Sequence, residues 1–178
     1  AKVDRRSGTM IADYLAPMRT VPLLLFVLAF AGACSSPQPT ASGGHTFGSD
    51  ADPLFFSLER TPCFGKCPAY VITVDKDGKA TYTGRTFADR PGTWKAQVDR
   101  AVLEALLERA NAMGFFGLED RYDGPVTDLP STIIRIQADG KDKKIVARYR
   151  TPEAFKAYAA FADSLLDKAG WEKQPAEE

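Results

Sequence analysis

The chain has 178 residues, with 23 basic and 23 acidic side chains and a formal charge of zero. Four basic and two acidic residues precede Cys34, so the chain from Cys34 onward keeps 19 basic and 21 acidic residues, a formal charge of −2. Nucleic-acid binders present a strongly basic face to phosphate, so this balance argues against a nucleic acid as partner. The length is sufficient for one domain with a core of its own.

An apolar run occupies residues 21–33, shortly after Met18, and stops at Cys34. It holds about a dozen apolar residues, fewer than the roughly 20 that a membrane-spanning helix needs. Small residues precede the cysteine, as a signal peptidase requires. We therefore expect a signal peptide over residues 18–33. We interpret residues 1–17 as an upstream extension that does not belong to the mature protein.

The sequence A-G-A-C at residues 31–34 resembles the lipobox of bacterial lipoproteins. This resemblance implies that Cys34 is the lipid attachment site, palmitate included, and that it anchors the protein to a membrane of the bacterial cell envelope. Ser35 follows it, where Asp is the usual inner-membrane retention signal, so the resemblance favours the outer membrane, facing the periplasm. Residues 34–52 are rich in Ser, Gly, Pro and Thr and are predicted to form a flexible tether.

Residues 53–172 are predicted to form a single domain that begins with a strand over residues 54–58. A β-hairpin is expected over residues 70–84, because β-branched and aromatic residues precede the turn sequence D-K-D-G. Apolar residues then recur at helical spacing after Asp99, a suitable N-cap, and Gly114 is expected to end this helix.

A second hairpin is predicted over residues 132–149, with its turn at A-D-G-K. T-P-E at residues 151–153 provides an N-cap, a proline at the first helical position and an acid in the first turn, and Gly170 is expected to end this second helix. Each half of the predicted domain is thus a hairpin followed by a helix (ββα). We expect an α+β two-layer sandwich, an antiparallel sheet with both helices on one face. Residues 173–178 are expected to form a disordered tail.

Cys63 and Cys67 are the only cysteines left once Cys34 carries a lipid, and three interpretations of them stay open. A structural disulfide is favoured, because the periplasm is oxidising and prolines on both sides stiffen the loop. A redox-active pair is less well supported, since three residues separate the cysteines where active pairs have two. A metal site would need further soft ligands, and the domain after the tether has no histidine and no third cysteine.

Four residues are candidates for a binding loop: Arg60, Phe64, Lys66 and Asp128. Phe64 and Lys66 lie between the cysteines, and Arg60 adjoins them. Asp128 could meet Arg60 or a ligand cation, although a cap of the turn before the next strand is favoured. We assign no catalytic residue, metal or cofactor. His45, the only histidine, lies in the predicted tether, which excludes a histidine-dependent triad inside the domain.

The segments L-E-R-T-P-C-F-G-K-C-P-A-Y, V-D-K-D-G-K-A-T-Y-T-G and Y-D-G-P-V-T-D-L-P-S resemble the bacterial envelope lipoprotein family of domain of unknown function 6438. The resemblance covers most of residues 54–171. It implies the domain boundary and a location in the cell envelope, but no activity and no catalytic residue.

The chain has no phosphate-cradling glycine loop, nucleophile elbow or metal-ligand cluster in its sequence. We therefore expect a non-enzymatic domain that either binds a partner protein of the envelope or supports the envelope, anchored to the membrane through its N-terminal lipid. One alternative is a thiol-disulfide redox protein that uses Cys63 and Cys67. Another is an inhibitor that inserts the loop between these cysteines into a periplasmic enzyme.

Overall fold

The structure is a computed structural model that describes residues 44–175. The predictions for the upstream extension, the signal peptide, Cys34, the first part of the tether and the last three residues of the tail lie outside these residues. Within the described range, no helix is long and apolar enough to cross a membrane. In chain order the elements are β1 (Leu54–Arg60), β2 (Tyr70–Asp75), β3 (Lys79–Gly84), β4 (Gly92–Gln97), α1 (Arg100–Ala112), a short 3-10 helix (Phe115–Gly117), β5 (Arg121–Tyr122), β6 (Thr132–Ala138), β7 (Lys141–Ala147), α2 (Glu153–Asp167) and β8 (Glu172–Lys173).

The strands form one sheet in the order β5-β7-β6-β1-β2-β3-β4-β8. The predicted α+β class is confirmed, and both predicted hairpins, β2–β3 and β6–β7, are present. The prediction of a wholly antiparallel sheet is wrong at one edge, where β5 pairs with β7 in parallel. β5 forms the outer edge of the sheet beside β7 and runs in the same direction as β7.

The helices begin and end close to the predicted residues. Asp99 is the N-cap of α1, and Gly114 follows that helix with a φ of 75°, a left-handed conformation that glycine adopts without a steric penalty. The N-cap of α2 is Pro152, one residue later than predicted. The two helices are joined by a buried hydrogen bond, in which the Tyr158 hydroxyl donates to the Leu106 carbonyl at 3.1 Å.

One continuous core joins alternate residues of the strands to one stripe of each helix. β1 departs from alternation, because its pairing with β2 shifts register between Leu54 and Phe56. Phe55 and Phe56 are consequently both fully buried, and burial of a Phe side chain contributes about 1.5–3 kcal/mol. The buried cluster extends from Phe47 to Leu166 and lies within one compact unit.

Residues 44–53 form a segment that we call the N-terminal strap. Phe47 is buried against Phe55, with ring centroids 4.7 Å apart, and forms an isolated β-bridge with Ala138. Asp139 accepts hydrogen bonds from the Thr46 backbone N–H at 2.9 Å and from the His45 ring at 2.8 Å. The part of the predicted tether that the structure describes thus packs on the domain, because Phe47 is an apolar residue in an otherwise polar segment.

The two ends of the strands differ in what they carry. Arg60 pairs with Tyr70 and Thr132, and Tyr70 pairs with Gly84, so the loops 61–69, 85–91 and 123–131 all lie at one end, which we call the loop end. The hairpin turns at 76–78 and 139–140 and the N-terminal strap lie at the opposite end, which we call the turn end. The chain therefore enters the domain at the turn end.

Candidate functional site

The cysteine loop occupies residues 61–69 at the loop end. Cys63 and Cys67 form a disulfide, with their Cα atoms 5.6 Å apart. The residues between them point away from the domain: Phe64 has 94% of its surface exposed, and Lys66 is also exposed. The sulfur atoms are bonded to each other, so neither is a thiolate ligand for a metal in this form.

Backbone hydrogen bonds fix this loop to its two neighbours. The Thr61 N–H donates to the Ser131 carbonyl at 3.0 Å, and the Ser131 N–H donates to the Thr61 hydroxyl at 2.7 Å. On the other side, the Ala69 N–H donates to the Thr86 carbonyl at 2.9 Å, and the Ala69 carbonyl accepts from Arg85 at 2.8 Å. The three loops of this end are thereby tied into one surface.

The loop end carries all three of the large apolar side chains that are exposed in the described range. Phe64, Phe87 and Leu129 have 94%, 55% and 42% of their surface exposed, and each lies on a different loop. Phe87 has a φ of 57°, which is uncommon for a bulky residue and costs conformational energy. Phe64 is among the candidates predicted from the sequence, whereas Phe87 and Leu129 are not.

A cleft of about 440 Å³ opens between α2 and the sheet, close to the cysteine loop. We call it the aromatic cleft, because three of its lining residues are Tyr70, Tyr82 and Trp171. Five charged residues also line it: Arg60, Asp89, Arg90, Asp163 and Asp167. A second depression of about 310 Å³ shares Arg60, Tyr70 and Asp163 and continues the cleft towards Cys67 and Pro130.

Arg60, Asp163 and Tyr70 form a hydrogen-bonded group in the cleft. The Arg60 Nη2 donates to the Asp163 Oδ2 at 2.5 Å, the Tyr70 hydroxyl donates to the Asp163 Oδ1 at 2.7 Å, and the Arg60 Nη1 donates to the Thr132 hydroxyl at 2.7 Å. Burial raises the pKa of Tyr70, and the Asp163 carboxylate raises it further. Burial disfavours the charged guanidinium of Arg60, but Asp163 outweighs this, and the pKa of Arg60 rises.

A second ion pair lies farther along α2, where Arg90 Nη1 is 2.7 Å from Asp167 Oδ1. The Arg90 guanidinium also lies 5.9 Å from the centre of the Tyr82 ring. The backbone of Arg90 passes close to Gly84, and only glycine fits there, because a Cβ at residue 84 would lie 1.7 Å from the Arg90 carbonyl oxygen. Burial raises the pKa of Tyr82.

The three aromatic rings form a continuous group. Tyr70 and Tyr82 stack with centroids 5.3 Å apart, and Tyr82 meets Trp171 edge to face at 5.8 Å. The Trp171 indole N–H donates to the Leu166 carbonyl at 2.9 Å, which fixes the ring against the end of α2. These arrangements hold the rings in fixed positions.

The structure brings some of the predicted site residues together. Arg60 lies in the aromatic cleft, while Phe64 and Lys66 lie on the cysteine loop beside it. Asp128 is exposed on the loop 123–131. The sequence analysis raised a contact between Arg60 and Asp128, but the ion pair that Arg60 forms is with Asp163.

Asp163, Asp167 and Trp171 are not among the candidates predicted from the sequence. The signal for the two aspartates was weak, since both lie on α2 beside the apolar stripe, where a polar residue is ordinarily solvated. In the described part of the chain, no group of three or more His, Cys, Asp or Glu side chains is arranged to hold a metal ion.

A family model described as Domain of unknown function (DUF6438) matches residues 54–166. The matched range begins with β1 and ends within α2, so it includes the disulfide and the group formed by Arg60, Tyr70 and Asp163. No curated protein matches the sequence.

Proposed function

This chain belongs to the DUF6438 family, and from that premise we propose that it is a lipid-anchored domain of the bacterial envelope that binds another envelope protein through its loop end. The family description names no activity, so the proposal rests on the geometry of the loop end and on the signal sequence. The role is non-enzymatic.

The main support for this proposal is that the exposed apolar side chains are concentrated at the loop end. Single exposed apolar residues are common on protein surfaces. Phe64, Phe87 and Leu129, however, lie on three adjacent loops that are hydrogen-bonded to one another. Aromatic side chains are enriched in protein interfaces, and a fixed loop loses little entropy on binding. Both properties suit a docking surface for a protein with an apolar depression.

The sequence supports an anchor at the opposite end of the domain. Cys34 precedes Gly44 by ten residues, and the chain enters the domain at the turn end. A seven-residue strand spans about 20 Å, so the strands hold the loop end at roughly that distance from the point of entry. With a lipid on Cys34 and a location in the outer membrane facing the periplasm, the docking surface would be directed away from its own anchor.

One form of this binding is suited to the shape of the cysteine loop. Phe64 lies between two bonded cysteines, on a loop fixed on both sides, so it could enter the active site of a periplasmic enzyme and inhibit it. Position-specific crosslinking distinguishes inhibition from simple docking. A captured enzyme that the domain inhibits indicates inhibition, and any other captured protein indicates docking.

A second candidate function is thiol-disulfide exchange by Cys63 and Cys67, and one contact favours it. The Gly65 N–H donates to Cys63 Sγ at 3.2 Å, and a donor at this position would stabilise a Cys63 thiolate after reduction. Incubation in glutathione buffers of graded potential tests it. A pair that titrates between the buffers supports exchange, and a pair that stays oxidised in all of them supports a structural role.

We also propose that the fold is a two-layer one with both helices on the same face of the sheet. Its support is the single buried cluster, which contains the apolar stripes of α1 and α2 and alternate residues of the central strands.

Position-specific crosslinking tests the binding proposal. A photoreactive phenylalanine is placed at Phe64, Phe87 or Leu129, and at Asp77 at the turn end as a control, in cells that produce the full chain. We expect the same protein adduct from the three loop-end positions and none from position 77. A Phe64→Ser substitution should weaken the adduct formed from position 129. Equal labelling from all four positions, or none from the loop end, would contradict the proposal.

A further inference from the structure

The aromatic cleft has the chemistry of a binding site of its own, and none of the three exposed apolar side chains of the loop-end docking surface lines it. Its charges balance within the cleft, because Arg60 lies 2.5 Å from Asp163 and Arg90 lies 2.7 Å from Asp167. Asp89 adds one carboxylate at the exposed rim, where solvent screens it. A phosphate would have to displace an aspartate from an arginine, and a cation would have to do the reverse. The cleft therefore favours an uncharged ligand.

The polar groups of the cleft retain capacity for further hydrogen bonds. A guanidinium has five N–H donors, and Arg60 uses two of its nitrogens on Thr132 and Asp163. A carboxylate has about four lone-pair sites, and Asp163 accepts one bond on each oxygen. Ser164 adds a hydroxyl. Donors and acceptors thus lie side by side in fixed planar groups, which suits a ligand with adjacent hydroxyl groups.

The aromatic side chains add an apolar surface beside these polar groups. Tyr70 and Trp171 are half-buried and line the cleft beside the exposed Ala160, whereas Tyr82 and Ile72, which also line it, are buried. The face of an aromatic ring carries a partial negative charge, so it attracts C–H groups that neighbouring oxygens have polarised. A pyranose ring presents such C–H groups on its faces and hydroxyl groups around its edge.

We propose that the aromatic cleft binds a neutral oligosaccharide. Its volume of about 440 Å³ lies within the range of about 300–1,000 Å³ of small-molecule sites. The adjoining depression of about 310 Å³ past Arg60 gives the site an elongated form, which suits a chain of sugar rings better than one ring. The ligand can come from the glycan of the cell wall or from a soluble sugar, and both sources present the same chemistry to the cleft.

Nuclear magnetic resonance titration of residues 35–178, which contain the whole compact unit, tests this proposal. The neutral probes are the β-1,4 tetramer of N-acetylglucosamine, the β-1,4 tetramer of glucose and the α-1,4 tetramer of glucose. Inorganic phosphate and cadaverine are the charged probes. We expect at least one neutral tetramer to shift the Trp171 indole signal and the Arg60 side-chain signals saturably. No saturable shift with any tetramer, or saturation by a charged probe alone, would overturn the proposal.

Substitutions locate the site. Trp171→Ala and Asp167→Asn should each weaken binding of the tetramer by about tenfold. Asp120→Asn is the matched control, because Asp120 is exposed near the opposite edge of the sheet and should leave binding unchanged. Asp167 is largely exposed, so Asp167→Asn tests the site even if Trp171→Ala impairs folding. Unchanged affinity in Asp167→Asn and in a folded Trp171→Ala would place the ligand elsewhere.

Two further measurements are informative. One distinguishes a ligand from the cell wall from a soluble sugar, and the other distinguishes binding in the cleft from binding at the docking surface. Co-sedimentation with insoluble cell-wall glycan indicates a wall ligand, whereas binding of the soluble tetramers alone indicates a free sugar. The Phe64→Ser variant should retain the affinity for the tetramer, although it loses the crosslinked protein. Phe64 lines neither the cleft nor the adjoining depression, so loss of both in a folded Phe64→Ser variant would place the sugar on the docking surface and overturn this proposal.

Discussion

Arg60 and Asp163 are 103 residues apart in the chain, yet their side chains form an ion pair that joins the end of β1 to α2. Each side chain is a little over one quarter exposed. The pair therefore lies where solvent screens it only in part, and it holds Tyr70 through the second oxygen of Asp163.

Asp163→Asn should lower the free energy of unfolding by about 1–3 kcal/mol, because it leaves the partly buried guanidinium of Arg60 without its counter-charge. Asp167→Asn is the matched control. Asp167 is 65% exposed, so the loss of its pair with Arg90 should cost at most about 1 kcal/mol. Urea denaturation of both variants measures the two losses of unfolding free energy. Equal losses would show that the burial of the Arg60–Asp163 pair does not affect its contribution to stability.

Alkaline titration should separate the tyrosines. The folded protein raises the pKa of Tyr70, Tyr82 and Tyr158 above the ordinary value of 10.0, with burial as the main cause. A raised pKa means that the folded state holds the proton more tightly. The resulting stability is present below the unfolded pKa and is lost as the pH rises from about 10 through the folded pKa.

We therefore expect the tyrosinate absorbance of these three side chains to appear late and together with unfolding. Tyr158→Phe should remove the absorbance of one tyrosine that ionises at high pH, and it should not increase the absorbance that appears near pH 10. Full ionisation of all tyrosines near pH 10 in a protein that is still folded would contradict the prediction.

Cys63→Ser should lower the free energy of unfolding by about 2 kcal/mol, because the disulfide closes a short loop of the unfolded chain. The fold should be retained, since the cysteine loop lies outside the core. Addition of dithiothreitol to the parent protein should reproduce the loss and should leave Cys63→Ser unchanged. Thermal unfolding with and without reductant measures both. A variant as stable as the oxidised parent would mean that the disulfide makes no contribution.

Phe47→Ala should destabilise the domain by about 3–5 kcal/mol, because it removes a buried ring that packs against Phe55. Phe64→Ala makes the same chemical change at an exposed position and should change stability by less than about 0.5 kcal/mol. Hydrogen exchange gives a local measurement. The Gly48 N–H, which donates to the Gln137 carbonyl, should lose protection in Phe47→Ala alone. Similar stabilities of the two variants would show that the strap does not stabilise the domain.

Cys34→Ser should release the protein from the membrane, because a signal peptidase that recognises the lipobox needs the cysteine to receive the lipid. The measurement is fractionation of cells that produce the parent or the variant, with Cys63→Ser as a control for loss of a cysteine elsewhere. The variant should move to the soluble fraction, and the control should stay with the membranes. A variant that remains in the membrane pellet would remove the basis for the lipid anchor.

The hairpins and helices could be predicted because their signals are local. The turn D-K-D-G between β2 and β3, and Gly114 after α1, act within a few residues of the chain. β5 could not be predicted, since a strand of two residues has no periodicity, and its parallel pairing depends on which strand already lies beside β6. The bulge that buries both Phe55 and Phe56 is likewise hidden in an apolar run.

The candidate site was predictable only in part, for a similar reason. The disulfide and the exposure of Phe64 follow from adjacent residues in one loop. The aromatic cleft unites Arg60, Tyr70, Asp163 and Trp171 from four elements or their ends, and the pairing of strands and the docking of α2 determine that they meet. No spacing in the sequence encodes such a meeting.

The sheet ends on each side in a strand of only two residues, β5 and β8. A long bare edge offers unpaired backbone groups to a neighbouring molecule and invites aggregation. Here β5 covers one end of β7, and the remainder of that strand carries the charged residues Lys141, Asp142, Lys143 and Lys144, which disfavour pairing with an apolar edge. A domain built in this way should resist edge-to-edge pairing of its sheet with that of a second copy.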